Sequence, residues 1–209
     1  VVFRGAAKRW SAFGTWNDMV LRERYGDLNF LVEVKFEDRE TEPKTMRLRE
    51  FLEVYERQRG YIVSVLPEPM AEEVEALGCV VCGSYRETLQ ETNFWLSSGD
   101  TVSALHKDAD HIVNCVLQGT KRWILINPIH GPKVALNSSS DPSLAAMLQR
   151  SDFSDINPSA VDIHAFPLLP HTPFSHATLR QGDCIFLPSG WLHQVRSPPG
   201  RNLAVAMMF

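Results

Sequence analysis

The chain has 209 residues, of which 44% are hydrophobic and 22% are charged, and its net charge is −4. These values are typical of a single globular domain with a sizeable core. They give no support to a broad cationic surface for nucleic acids or anionic membranes, and no apolar run approaches the roughly 18 residues of a membrane helix. Because the first residue is Val rather than Met, any targeting segment would precede the sequence given.

The N-terminal part of the chain predicts helices and strands in alternation. A helix begins at residues 15–18, where a hydroxyl residue precedes an acid by three positions, and Gly26 ends it. Alternating apolar residues predict a strand over residues 30–36. Apolar residues at helical spacing predict a second helix over residues 48–55, and residues 61–65 predict another strand.

From residue 92 onward, short apolar runs alternate with turns rich in Gly, Pro, Ser and Asp. Such a series predicts a β-sandwich or barrel. Residues 113–117 predict a strand, and residues 121–126 predict its antiparallel return after a turn at Gly119. Residues 128–175 predict a long insertion with one helix over residues 142–150, and an insertion of this length usually serves as a lid or a substrate-facing loop.

The four cysteines are expected to be free and without metal. Cys79 and Cys82 have the spacing of half a zinc site or a redox pair, but the sequence contains no second pair. Cys115 and Cys184 lie in apolar, strand-like runs, where buried inert thiols are the usual outcome. Reduced cysteines favour the cytoplasm or the nucleus as the location.

Two histidines and one aspartate are the candidate metal ligands. His106 and Asp108 are two residues apart, so on a strand their side chains would point to the same side. His193 begins a later strand, after a turn. Two imidazoles and one carboxylate on one side of an ion form the site of non-haem Fe(II) oxygenases, and they leave positions open for a bidentate 2-oxo acid and for O₂.

Lys121 is the candidate ligand for the co-substrate. It lies 15 residues after His106, directly after the glycine turn. A lysine ammonium that points into an apolar barrel is costly to bury without an anion. The distal carboxylate of 2-oxoglutarate would be that anion. Taken singly, each metal-ligand candidate and Lys121 could equally be an ordinary core or surface side chain. The prediction of a metal site depends on their occurring together.

Four blocks of sequence resemble the JmjC (Jumonji C, cupin-8-like) oxygenases that use Fe(II) and 2-oxoglutarate. The blocks are residues 1–5, His106-Lys-Asp108, residues 119–123 and residues 182–193. The resemblance implies a mainly β fold. Its core would be a double-stranded β-helix (jelly roll) over residues 92–209, and the helices and strands of residues 1–91 would pack against this core. The whole chain, residues 1–209, would then be one domain.

The resemblance also assigns roles to individual residues. It implies that His106, Asp108 and His193 bind the iron, which makes them the catalytic residues, and that Lys121 binds 2-oxoglutarate. Ser103, Tyr61 and Asn114 are the further residues that it implies for co-substrate binding. Asn114 is two residues beyond the family's usual asparagine position, which Ile112 occupies here, and it could equally be an ordinary polar residue. A common asparagine of the last strand is replaced near Ala206.

The activity that the resemblance implies is a dioxygenase reaction with Fe(II), 2-oxoglutarate and O₂, which releases succinate and CO₂. The expected substrate is a protein or peptide side chain that becomes hydroxylated. Demethylation of N-methyl-lysine by the same chemistry and a non-catalytic cupin-like binding module are the alternatives. RNA is a further possible substrate class, to which the acidic net charge gives no support.

Overall fold

A computed structural model describes residues 1–34, 42–58, 60–78, 80–81, 87–134, 152–157 and 159–209. The strands of these residues are β1 (Val2–Phe3), β2 (Asn29–Val34), β3 (Lys44–Arg47), β4 (Gly60–Val65), β5 (Glu91–Ser97), β6 (Thr101–Val102), β7 (His106–Lys107), β8 (Ile112–Gln118), β9 (Thr120–Ile126), β10 (Ser175–Arg180), β11 (Cys184–Leu187), β12 (Leu192–Ser197) and β13 (Asn202–Met208). Their α-helices are α1 (Ser11–Thr15), α2 (Asp18–Tyr25), α3 (Leu48–Val54) and α4 (Glu68–Ala71).

Two antiparallel sheets face each other and enclose the interior of a jelly roll, as predicted. The larger sheet has the strand order β1-β11-β8-β13-β5-β4-β2-β3. The smaller sheet has the order β10-β9-β12-β6, and β7 also pairs with β12. The apolar residues between the sheets are Ile112, Val116, Trp123, Leu179, Ile185, Leu187 and Ala206. A second and larger core lies on the outer face of the larger sheet, where the helices cover it.

The predicted hairpin between the strands that flank Gly119 is wrong. Strand β8 pairs with β11 and β13 in the larger sheet, whereas β9 pairs with β10 and β12 in the smaller sheet. Gly119 has φ +85°, and a Cβ there would lie 2.6 Å from the backbone oxygen of Arg201. Glycine therefore allows the chain to cross between the sheets at this point. The crossing places β9, with Lys121, opposite β8.

The N-terminal helices and strands are of the predicted types, but several begin or end at residues other than the predicted ones. Asn17 rather than Thr15 caps α2, because the Asn17 side chain accepts the backbone N–H of Val20 at 3.0 Å. Thr15 ends α1 and donates its hydroxyl to the backbone oxygen of Ser11. Helix α3 and strands β2 and β4 occupy the predicted places, and α3 ends at Val54. Residues 35 and 36 of the predicted strand lie outside the described ranges.

Cys115 and Cys184 form a disulfide, so the prediction of two free thiols is wrong for this pair. The two residues are direct partners on β8 and β11, with their Cα atoms 4.0 Å apart. Both lie in the core on the outer face of the larger sheet. The argument for a reducing compartment therefore does not hold for these two cysteines. Cys79 and Cys82 lie outside the described residues.

The described part of the insertion packs on the outer face of the smaller sheet. Val134, Ile156, Phe166 and Leu169 of the insertion contact apolar side chains that β9 and β12 turn outward, among them Ile126 and Leu192. Residues 142–150, for which a helix was predicted, lie outside the described ranges. In the part of the chain that the structure describes, every helix is too short or too polar to cross a bilayer.

Candidate metal centre and co-substrate cavity

His106, Asp108 and His193 meet at one point between the sheets. Their ligand atoms all lie within 4.8 Å of one another. The Nε2 atom of His106 is 3.7 Å from one Asp108 carboxylate oxygen, and the Nε2 atom of His193 is 3.4 Å from the other. Strand pairing causes this meeting, because His106 on β7 is the direct register partner of His193 on β12. Asp108 follows β7 by one residue.

Backbone carbonyls orient both imidazoles. The Nδ1 atom of His106 is 2.9 Å from the backbone oxygen of Ala104, and that of His193 is 3.1 Å from the oxygen of Trp191. These contacts fix the proton on Nδ1 and leave the Nε2 lone pairs directed at the shared point, as metal binding requires. Burial, together with the nearby His106, lowers the pKa of His193 to about 3, which keeps its imidazole neutral.

A cavity of about 210 Å³ extends from these three residues between the sheets. It is smaller than the roughly 300–1,000 Å³ of pockets for drug-sized ligands, and this size suits a small co-substrate. Its lining residues are Glu33, Tyr61, Val63, Trp95, Thr101, Val102, Ser103, His106, Asp108, Ile112, Lys121, Trp123, His193, Val195 and Met208. The candidate metal ligands and Lys121 thus share one cavity.

Within the described ranges, the buried ammonium of Lys121 forms no ion pair, although the carboxylates of Glu33 and Asp108 also line this cavity. The residue is 2% exposed, and burial alone lowers the pKa of its amine to about 8. Its Nζ lies 3.5 Å from the Ser197 hydroxyl and 5.2 Å and 5.9 Å from the ring centroids of Trp95 and Tyr61. A hydroxyl and two rings stabilise a cation weakly compared with an anion. The environment therefore fits a carboxylate ligand next to Lys121.

Of the other three residues predicted to bind the co-substrate, two line the cavity and one does not. Tyr61 lines the cavity, and burial followed by the charge of Glu33 raises the pKa of its phenol. Ser103 also lines it, and its hydroxyl accepts the backbone N–H of Val195 at 2.9 Å. Asn114 does not line the cavity. It is completely buried, and neither side-chain amide atom has a hydrogen-bond partner among the described residues.

Trp123, Trp95 and Glu33 are among the cavity residues that were not predicted as functional. Trp123 stacks on His193 with ring centroids 5.5 Å apart. It lies two residues after Lys121 on β9, so the alternation of side chains along a strand was enough to predict that both side chains lie on the same face. The indole N–H groups of Trp123 and Trp95 are buried and lack an acceptor within the described ranges. Glu33 reaches the cavity because its strand pairs beside Tyr61, and no local sequence signal reveals such a pairing.

The residues present fit a divalent metal ion with an anionic co-substrate. Two neutral imidazole nitrogens and one carboxylate converge from one side, which is the donor set of non-haem Fe(II) sites. Lys121 lines the same cavity, as do Trp95 and Trp123, whose buried indole N–H groups lack an acceptor among the described residues. Buried donors without acceptors destabilise a protein unless a ligand or water satisfies them.

Comparisons with known proteins agree with this geometry. A family model described as a cupin-like domain matches residues 1–209, the whole chain. Lysine-specific demethylase JMJ31 of Arabidopsis thaliana is 31% identical over 128 residues, which are 59% of this chain and 21% of that protein. Human bifunctional peptidase and (3S)-lysyl hydroxylase JMJD7 is 25% identical over 121 residues, which are 52% of this chain and 38% of that protein.

A third relative carries the name of an RNA-modifying protein. It is tRNA wybutosine-synthesizing protein 4 of Emericella nidulans, 32% identical over 137 residues, which are 65% of this chain and 11% of that protein. The chain spans less than two fifths of the length of each of these three relatives.

Proposed function

We propose, from the premise that this chain belongs to the cupin-like (JmjC) domain family, that it is an Fe(II)- and 2-oxoglutarate-dependent oxygenase that hydroxylates a protein side chain. One observation carries the proposal: the buried ammonium of Lys121, which has no ion-pair partner in the described part of the chain, shares a cavity with the metal-ligand cluster His106, Asp108 and His193. A structural metal site would close its coordination with protein ligands and would need no buried cation beside it.

The three protein ligands would hold the iron and leave coordination positions open. When bound, Fe(II) with 2-oxoglutarate and O₂ supplies the oxidation of the substrate, with release of succinate and CO₂. The residues of the chain bind and orient the reactants. Lys121 binds the distal carboxylate, because its ammonium is buried and has no ion-pair partner among the described residues. The Ser103 hydroxyl and the Tyr61 phenol lie on the cavity wall, where each can donate to the same anion.

Part of the cavity wall is apolar. Trp95, Trp123 and Val195 contribute to it, and Trp123 is 1% exposed. In such a low-dielectric site, the attraction between an ammonium and a carboxylate is stronger than in water. This environment favours an anionic co-substrate over a neutral one.

The choice of a protein substrate is supported by the relatives. JMJD7 is named as a lysyl hydroxylase, and JMJ31 is named as a lysine demethylase. Lysine demethylation is therefore the second candidate, since it uses the same site. The net charge of −4 gives no advantage to an RNA substrate.

A ligand-binding experiment separates an oxygenase from a non-catalytic module. Thermal unfolding is measured with Mn(II) and N-oxalylglycine, an unreactive analogue of 2-oxoglutarate. A ligand that binds only the folded state at ~100 times its dissociation constant adds roughly 2.7 kcal/mol to the free energy of unfolding. We expect this gain in the wild type and in the His164→Ala control, whose histidine is exposed in the insertion, and no gain in His106→Ala. No gain in the wild type would contradict the proposal.

The reaction on the substrate is then identified by mass spectrometry. The protein is incubated with Fe(II), 2-oxoglutarate and a mixture of unmodified and N-methylated lysine peptides. A mass gain of one oxygen atom is expected for hydroxylation. Loss of methyl groups with formaldehyde would favour demethylation instead. Succinate formation that no peptide stimulates would leave the protein-substrate part of the proposal without support, and a tRNA mixture tests the RNA alternative in the same assay.

A further inference from the structure

A short segment of the insertion pairs with the strand that carries the first candidate metal ligand. The backbone N–H of Lys107 donates to the oxygen of Asp152 at 2.9 Å, and the N–H of Ser154 donates to the oxygen of Leu105 at 2.8 Å. Between them, Phe153 is the antiparallel bridge partner of His106. Residues 152–154 thus form an antiparallel bridge with the edge of β7.

This pairing occurs where β7 has little other support. Strand β7 consists of two residues and pairs with β12 on its other side through two register positions. An ion pair of 3.3 Å between Lys107 and Asp152 adds to the contact with the insertion. Without residues 152–154, one edge of β7 would be open, and a two-residue strand with one neighbour holds its side chains poorly.

The side chain of Phe153 also contacts the metal ligand itself. Its ring stacks on the imidazole of His106 with centroids 5.2 Å apart and an angle of 13° between the planes. The imidazole of His193 lies 4.3 Å from the same imidazole, at 49°. The His106 ring therefore contacts both Phe153 and His193, and the hydrogen bond from its Nδ1 to the backbone oxygen of Ala104 also restricts its rotation.

From these contacts we infer that Phe153 is a positioning residue for the metal centre, and that the insertion sets the metal affinity through it. The inference rests on the proposed function, because it requires that His106 binds a metal. It differs from the predicted lid, since Phe153 acts on a ligand and not on the mouth of the cavity. Hydrogen-bonding groups that orient metal-bound histidines typically change metal affinity 10- to 100-fold when they are removed, and from a stacked ring we expect an effect near the lower end of this range.

The experiment measures metal affinity without turnover. Binding of Co(II) is followed by its visible absorption, and binding of Mn(II) by electron paramagnetic resonance, in the wild type, Phe153→Ala, Phe153→Leu and Phe153→Tyr. The matched control is Phe166→Ala, which removes a phenyl ring from the insertion where it packs on the outer face of the smaller sheet. Circular dichroism of the metal-free proteins checks that each variant is folded.

We expect Phe153→Ala to weaken metal binding by about 10-fold or more, with a changed Co(II) spectrum. Phe153→Tyr keeps the flat ring and should bind as the wild type does, whereas Phe153→Leu, which keeps apolar volume without the ring, should bind more weakly. Phe166→Ala should retain wild-type affinity. Wild-type affinity in both Phe153→Ala and Phe153→Leu would overturn the inference, as would an equal loss in Phe166→Ala. If the wild type binds no metal, the proposed function itself is wrong, and this inference is wrong with it.

Discussion

The Nζ atom of Lys121 lies 3.5 Å from the hydroxyl oxygen of Ser197, the one hydrogen-bond partner that it has within the described ranges. The two side chains come from the neighbouring strands β9 and β12 of the smaller sheet and are both buried. A neutral hydroxyl offsets only a small part of the cost of burying an ammonium ion. This pair therefore leaves a site that an anion can stabilise, and the two predictions on Lys121 below depend on it.

Replacement of Lys121 by Met should remove 2-oxoglutarate binding and leave metal binding intact. Loss of one partner of a buried charge pair costs roughly 2–5 kcal/mol, so we expect the affinity measured by calorimetry in the presence of Mn(II) to fall at least about 30-fold. Arg122→Met is the matched control, because Arg122 is the next residue on β9 and is exposed on the opposite face. Equal losses in both variants would contradict the assigned role of Lys121.

The stability of the ligand-free protein should increase as the pH rises from 8 to 10. Burial lowers the pKa of Lys121 from 10.5 to about 8, so within this window the unfolded chain binds the proton that the folded chain has lost. Stability rises with pH wherever the unfolded state binds more protons, and here the gain is about 2 kcal/mol. Below pH 8 both states are protonated, and the folded state bears the full cost of the buried charge.

The Lys121→Met variant isolates this effect from other groups that titrate. At pH 7 the Lys121→Met variant should have a higher free energy of unfolding than the wild type. This difference should become smaller as the pH rises. Urea denaturation at several pH values measures the difference. A difference that does not change with pH would mean that Lys121 remains protonated throughout the window.

Replacement of Asn114 by Leu should stabilise the ligand-free protein. Both amide atoms of Asn114 are buried without partners in the described structure, and its strand neighbours Ile112 and Val116 belong to the apolar cluster between the sheets. Leu has the same branched shape as Asn without its polar atoms, so the substitution removes a desolvation cost of about 1–3 kcal/mol. Thermal unfolding without ligands measures this. A destabilised variant would indicate that the amide has a partner, such as a buried water molecule.

The same variant tests the predicted role of Asn114 with the co-substrate. If Asn114 contributes to 2-oxoglutarate binding, the affinity measured by calorimetry should fall in Asn114→Leu. Asn202→Leu is not a suitable control, because its side chain donates to the backbone oxygen of Thr120. Val116→Leu, on the same strand and in the same cluster, changes the packing without removing an amide, and its co-substrate affinity should stay near that of the wild type.

Reduction of the disulfide between Cys115 and Cys184 should destabilise the folded chain. The bond closes a loop with a sequence separation of 69, for which the loss of chain entropy in the unfolded state corresponds to about 4 kcal/mol. Urea denaturation with and without a reductant measures the change. The double variant Cys115→Ala and Cys184→Ala should be insensitive to the reductant, and a wild type that is equally insensitive would contradict the prediction.

The sequence alone determined the features that depend on spacing within one strand or turn. The spacing of His106 and Asp108, the later His193 and the position of Lys121 after Gly119 predicted a metal site with a cation beside it only in combination, because side chains on a strand alternate with a period of two. The family motifs added the co-substrate roles of Ser103, Tyr61 and Asn114, and the series of short apolar runs between turns predicted a β-sandwich or barrel. These inferences need no knowledge of which strands pair.

Only the tertiary structure decided the features that depend on strand pairing. It separated β8 from β9 at Gly119, paired Cys115 with Cys184, and brought Glu33 and Phe153 to the cavity and to His106. Local periodicity shows which face of a strand is buried but not which neighbour covers it. That choice is made by the packing of whole sheets, whose contacts join residues far apart in the chain.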